Sequence, residues 1–196
     1  MFSLLNIFSK KSLDSGGALI EKYDISVYKK NYNRFEEKTY DDLNPFSVNN
    51  KVHFLNEVKY LDILEQYDIT PKIIEKNDNS LILTDCGDAL KISNLPQNWK
   101  EQITNIYLIL KQEQIYHNDI KMDNFTVKDG KIFLIDFGWT SQFTPSYPYL
   151  NINLDIIEKS TTMNQLFHYI YNHSSQMVLK TCVNLNNYIN NHLRND

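Results

Sequence analysis

The 196-residue chain is expected to be an α+β protein, with a β-rich N-terminal part and a mostly helical C-terminal part. Three observations predict this. Short β-prone runs bounded by turn residues recur up to about residue 84 and again over 125–135. Asp129-Gly130 stands between two such runs, a strong hairpin signal. Apolar residues then recur at helical spacing over 99–113 and through the final stretch.

In chain order, Met1 to Phe8 is apolar but brief, and its lysines follow the apolar run rather than precede it. It reads as a packed first strand or helix, too short for a bilayer span and poorly built for a signal peptide. Ile25-Ser26-Val27-Tyr28 is a predicted strand, and 34–40 is the next. Residues 51–65 form a predicted helix, with Val58, Leu61 and Leu64 along one side and Leu55 just before them. Glu57 lies four residues before Leu61 and seven before Leu64, on the face that packs inward. Ile69-Thr70-Pro71 ends this region, because the residue before proline avoids the helical basin.

Ile73-Ile74 and Leu81-Ile82-Leu83 flank a polar turn at 76–79, which predicts two antiparallel strands. Leu95-Pro96-Gln97-Asn98-Trp99 is a helix entry, with Asn98 or Gln97 near the cap. Trp99, Ile103, Ile106 and Leu110 then form an amphipathic stripe, with Trp99 assigned to the core. Phe125-Thr126-Val127 and Ile132-Phe133-Leu134-Ile135 make the hairpin around the 128–131 turn. Leu154, Ile156 and Ile157 start one late helix; Met163, Leu166 and Ile170 mark another. Val178, Cys182, Leu185, Ile189 and Leu193 mark the last.

Hydrophobic residues at 42% and aromatics at 13% suffice for a packed core. The net charge of -4, without a Lys/Arg run, argues against nucleic-acid or membrane-surface binding, and no transmembrane run is visible. Cys86 and Cys182 imply no disulfide framework, which suits a reducing, cytoplasmic setting. Five histidines, at 53, 117, 168, 173 and 192, form no H-x-x-x-H pair. Asp119, Asp123 and Asn124 are close in sequence but lack the twelve-residue pattern of an EF-hand.

The chemistry-bearing residues concentrate in Tyr116-His117-Asn118-Asp119-Ile120-Lys121-Met122-Asp123-Asn124, followed at Asp136 by Asp-Phe-Gly. The order H-x-D-x-K-x-x-N, apolar hairpin, D-F-G resembles the catalytic-loop and metal-binding signature of the protein-kinase-like superfamily. Phosphoryl transfer needs a positioned hydroxyl and a neutralised polyphosphate rather than covalent work by the protein. Asp119 would take the hydroxyl proton, and Lys121 would present a point charge to the migrating phosphoryl group. The hairpin would fold residue 136 back towards residue 124, placing Asn124 and Asp136 on one magnesium ion.

The resemblance implies a bilobal fold, with an N-lobe over about 1–84, a hinge over about 84–88 and a truncated C-lobe over about 88–196. It implies that Gly16 and Gly17 are what remains of a Gly-rich phosphate lid whose third glycine is missing. Lys38 is the preferred phosphate-binding lysine, with Lys29 and Lys30 as open alternatives. Glu57 would hold that lysine, and Asp85 and Cys86 would lie where backbone groups bind adenine. The chain departs from the family in three places. Asn118 replaces the arginine before the catalytic Asp, no Ala-Pro-Glu closes an activation segment, and 58 residues follow Gly138 (196 − 138).

The expected function is transfer of the γ-phosphate of ATP, with Mg2+, to a hydroxyl-bearing acceptor, in the first instance protein Ser/Thr. Small-molecule kinases of the aminoglycoside, choline and lipopolysaccharide-sugar type are the alternative within the fold. A pseudokinase that binds nucleotide or a partner without turnover is the alternative outside catalysis.

Overall fold

Strand alternation governs the first sheet. In the computed structural model, which describes residues 12–13, 19–24, 27–32, 50–144 and 151–170, strands β1 (Ser12–Leu13), β2 (Leu19–Asp24) and β3 (Val27–Asn31) are followed by helix α1 (Asn50–Leu64). β4 (Ile73–Asn77) and β5 (Ser80–Thr84) complete a five-stranded sheet in the order β1-β2-β3-β5-β4. Every neighbouring pair in it is antiparallel. β3 is interior, so its two faces are set by the pairing of Lys29 with Ile82 and Lys30 with Leu81. Adjacent side chains on a strand point to opposite faces, and Lys30 is buried where Lys29 is half-buried.

The α1 stripe is less apolar than helical periodicity alone suggests. Its buried positions are His53, Phe54, Glu57, Val58, Tyr60, Leu61 and Leu64, the i, i+3, i+4, i+7 pattern of a one-sided helix. Leu55, expected beside the stripe, is 53% exposed, while two polar side chains sit inside it. The helix runs into a short 3-10 turn at Glu65–Tyr67 and stops where Asp68 turns left-handed at φ 52°.

The second sheet, β6 (Asp88–Ala89), β8 (Phe125–Lys128) and β9 (Lys131–Leu134), has the order β6-β8-β9. The predicted hairpin is present: Asp129 and Gly130 take φ 51° and 75° between Lys128 and Lys131, the positive angles of a two-residue primed turn. Its closed register pairs Phe125 with Leu134, and Ile135 N–H donates to the Asn124 carbonyl at 2.9 Å. This is how residue 136 returns beside residue 124.

Between β6 and β8 the chain makes helix α2 (Trp99–Gln112) and β7 (Ile115–Tyr116). Ile103, Ile106 and Leu110 are buried as expected, but Trp99, assigned to the core, is only half-buried at the first position of the helix. β7 pairs with β10 (Ser141–Gln142). Helix α3 (Leu154–Lys159) is capped by Asn153, whose Oδ1 accepts from Ile156 N–H at 3.0 Å. A further helix over 163–170 starts behind Thr162, whose Oγ1 accepts from Gln165 N–H at 3.2 Å. Lys100 Nζ donates to the carbonyls of Glu158 and Ser160 at 2.9 and 3.0 Å, where the α3 dipole favours a cation.

The chain groups into two units, Met1–Trp99 with Asp123–Thr140, and Lys100–Met122 with Ser141–Asp196. The hairpin β8-β9 thus belongs with the first sheet rather than with α2. The strand expected at 34–40 and the helix expected at 178–193 fall outside the described residues. Among the described residues, no helix is long and apolar enough to cross a membrane.

Two glycines in the first unit have left-handed backbones but different surroundings. At Gly87, φ 85°, an added Cβ would lie 2.1 Å from the Val127 carbonyl oxygen; at Gly130, φ 75°, it would meet nothing within 4 Å. Gly130→Ala is therefore expected to cost only the left-handed penalty of roughly 1–2 kcal/mol. Gly87→Ala adds a backbone clash and should cost well beyond that, about 3 kcal/mol or more. Urea midpoints of the two variants, compared at equal m, check the order.

Candidate functional site

Lysine is seldom fully buried without a partner, and Lys30 has two carboxylates beside it among the described residues. Its ammonium lies 2.9 Å from Glu57 Oε2 and 3.1 Å from Asp136 Oδ1. The three side chains are 5%, 2% and 6% exposed. Strand β3 supplies the lysine, helix α1 the glutamate and the turn after β9 the aspartate, all within the first unit. Tyr32, two residues beyond on the same strand face, places its ring 5.5 Å below the ammonium, a cation–π geometry. Phe54 of α1 meets that ring edge-on at 5.2 Å and 75°. An apolar wall thus lies beside the ion cluster and strengthens its electrostatics.

Among the described residues, the lysine that meets Glu57 is Lys30, one of the two alternatives to Lys38 left open by the sequence. Lys38 lies outside the described residues, as do Gly16 and Gly17. The signal that could have found Lys30 was period-2 alternation: on one strand only one of two adjacent lysines faces inward. Which one does so depends on register with β2 and β5, which the sequence does not display.

Asp136 has a left-handed backbone, φ 68°. This is an uncommon conformation for a residue other than glycine, and it persists where the surroundings over-determine it. Here α1 does so. Phe137 is fully buried, Asn56 Nδ2 donates to the Gly138 carbonyl at 3.0 Å, and His53 packs edge-on against Trp139 at 5.0 Å and 85°. A Cβ at Gly138 would stand 2.5 Å from His53 Nδ1, so close approach of α1 requires glycine there. Asn124, buried at 4% exposure, ends a short 3-10 turn at Met122–Asn124 and enters β8. Its carbonyl takes the Ile135 amide, as described above.

Asp85 and Cys86 have local roles. Asp85 Oδ1 accepts from Gly87 N–H at 2.7 Å, and its carboxylate and carbonyl sit 3.5 and 3.0 Å from Lys128 Nζ. That arrangement stitches the strand end after β5 to the hairpin. Burial pushes the Cys86 thiol up to about 11, so at neutral pH it is a small apolar side chain and not a thiolate.

In the second unit, Lys121 Nζ lies 2.8 Å from Asp119 Oδ2, with both groups partly exposed at 34% and 21%. Asp119 thus keeps solvent access. His117 and Asn118, just before it, are fully buried, which anchors the loop while leaving the carboxylate outside.

No family model matches the chain. Dual specificity protein kinase TTK of Mus musculus is 26% identical over 152 residues, 69% of this chain and 17% of that protein. Dual specificity protein kinase Ttk of Danio rerio is 28% identical over 109 residues, 47% of this chain and 11% of that protein. The chain is distantly and partially similar to a protein kinase. It spans less than a fifth of the length of these relatives.

Two outcomes follow from this geometry. Lys30→Met leaves two carboxylates buried together and is expected to cost about 3–5 kcal/mol, while the double variant with Glu57→Gln recovers part of the loss. Gly138→Ala forces the His53 ring to move and should cost about 1–3 kcal/mol. Combined with His53→Ala it should cost less than the sum of the two single changes. Denaturant titrations of the singles and doubles give both answers.

Proposed function

We propose that this chain is an ATP- and magnesium-dependent phosphotransferase of bilobal, protein-kinase-like architecture, with a hydroxyl acceptor, in the first instance protein Ser/Thr. The observation that carries the reading is Lys30 buried between Glu57 and Asp136. Those three side chains sum to a formal charge of minus one in a buried setting. A core gains nothing from such a cluster, because apolar side chains of similar volume serve as well or better. A polyphosphate with its cation gives the cluster a reason to exist.

In this reading Lys30 holds the nucleotide's phosphates, and Glu57 orients Lys30. Asp136 and Asn124 take the magnesium ion, which neutralises charge on the phosphates when bound. The donor set fits: a carboxylate and a carboxamide are hard oxygen ligands. Among the described residues, no group of three or more His, Cys, Asp or Glu could hold a metal. Magnesium is commonly held by one or two protein oxygens together with substrate phosphates, so an ion delivered with the nucleotide suits these residues. Asp119 accepts the proton of the incoming hydroxyl, and Lys121, paired with it at 2.8 Å, fixes the carboxylate and adds positive charge. The similarity to dual specificity protein kinases supports the same class.

Thermal melts with and without Mg-ATP, together with transfer of labelled γ-phosphate to a panel of hydroxyl acceptors, test the proposal. Mg-ATP should raise Tm in the natural sequence, and Asp136→Asn should abolish the rise. Asp119→Asn should keep the rise and lower phosphate transfer about 10²–10⁴-fold, the usual weight of a general base. Stabilisation without transfer to any acceptor would mark a nucleotide-binding pseudokinase. No stabilisation and no transfer would end the nucleotide reading altogether.

A further inference from the structure

Asn118, next to Asp119, is 1% exposed and has φ 63°. Asparagine tolerates this left-handed backbone better than most residues, and its neighbours hold it there. Asn118 N–H donates to Asn151 Oδ1 at 2.9 Å, and Asn151 Nδ2 donates back to Asn118 Oδ1 at 2.9 Å. Asn118 Nδ2 donates to Ser141 Oγ at 2.9 Å, and that hydroxyl donates to the Thr144 carbonyl at 2.8 Å. The ladder between β7 and β10 sets Ser141 opposite Tyr116, two residues before Asn118. All of these residues belong to the second unit.

We propose that Asn118 is a positioning residue. Through Asn151 and Ser141 it forms a neutral amide–hydroxyl latch that fixes the loop bearing Asp119 with no phosphate on the segment after Gly138. The inference rests on the phosphotransfer reading above and names how that site is kept in order. Two reciprocal amide bonds define both distance and orientation, as a single contact does not. The latch also differs in kind from one that reads phosphate. Phosphate capture needs a cation with several donors, whereas Asn118 is held, among the described residues, by a carboxamide and a hydroxyl. Asn118 is buried and these two partners are half-buried, so breaking the network leaves the Asn118 amide desolvated without compensation.

Asn151→Ala removes the reciprocal pair of the latch without touching Asn118 or its left-handed backbone. Asn151 already borders a cavity of about 290 Å³ lined also by Tyr107, Leu110 and Ile120, so truncation enlarges an existing space. Ser141→Ala is the milder second variant, should Asn151→Ala fold poorly. Two readouts are needed: hydrogen exchange over residues 115–122, and steady-state kinetics of phosphate transfer on phosphatase-treated protein.

The expected result is exchange about tenfold faster or more over 115–122, with kcat lowered about 10- to 100-fold and KM for Mg-ATP changed less than about twofold. Phosphatase treatment should leave the natural sequence fully active. Unchanged exchange in both variants overturns the latch. Faster exchange with unchanged kcat overturns the positioning role, and loss of activity on phosphatase treatment overturns its independence of phosphate. A natural sequence that transfers no phosphate at all sinks the phosphotransfer reading, and the positioning role with it, while the exchange data still decide whether the latch exists.

Discussion

An ammonium buried between two carboxylates is the constraint on which the first unit depends. Lys30 joins β3, α1 and the turn after β9 at one point, at 2.9 and 3.1 Å. Neither carboxylate tolerates loss of the lysine, because an uncompensated buried charge costs several kcal/mol. The sheet order that makes β3 interior, the glutamate on the inward face of α1 and the tight 129–130 turn all serve that meeting. Tyr32 and Phe54 close the apolar side of it.

One helix face holds the whole run from Asp136 to Trp139. Glu57 reaches Asp136 through Lys30, Asn56 bonds the Gly138 carbonyl, and His53 lies against Gly138 and Trp139. These three polar side chains occupy adjacent turns of α1, at i, i+3 and i+4, so a small rotation of the helix would disturb all of them together. The left-handed backbone of Asp136 is maintained by this set of contacts and not by local preference. Strain of this kind is economical where a carboxylate must stay aimed in one direction.

In the second unit, the residues around Asp119 divide by exposure. His117 and Asn118 are buried, Asn118 exchanges hydrogen bonds with Asn151, and the charged pair of Asp119 and Lys121 stays partly exposed. Burying the Asn118 amide and exposing the charged pair follows the relative costs of desolvation. A loop built this way keeps a carboxylate accessible while its backbone stays fixed.

Local rules in the sequence determined much of this protein: the hairpin around Asp129-Gly130, α1 and α2 to within a residue or two, the pairing of β4 with β5, and the inward placement of Glu57. Each follows from spacing or from a residue with a special backbone, information carried by neighbours in the chain. The sequence also marked the candidate motif, because Asp119, Lys121, Asn124 and Asp136 fall within 18 residues. Only the tertiary structure decided that Lys30 meets Glu57, that α1 buries His53 and Phe54 while Leu55 faces outward, and that Trp99 is half-buried. It also decided that Asn118 finds its partner 33 residues away. Strand register and helix rotation set these pairings, and both are fixed by packing between segments distant in sequence.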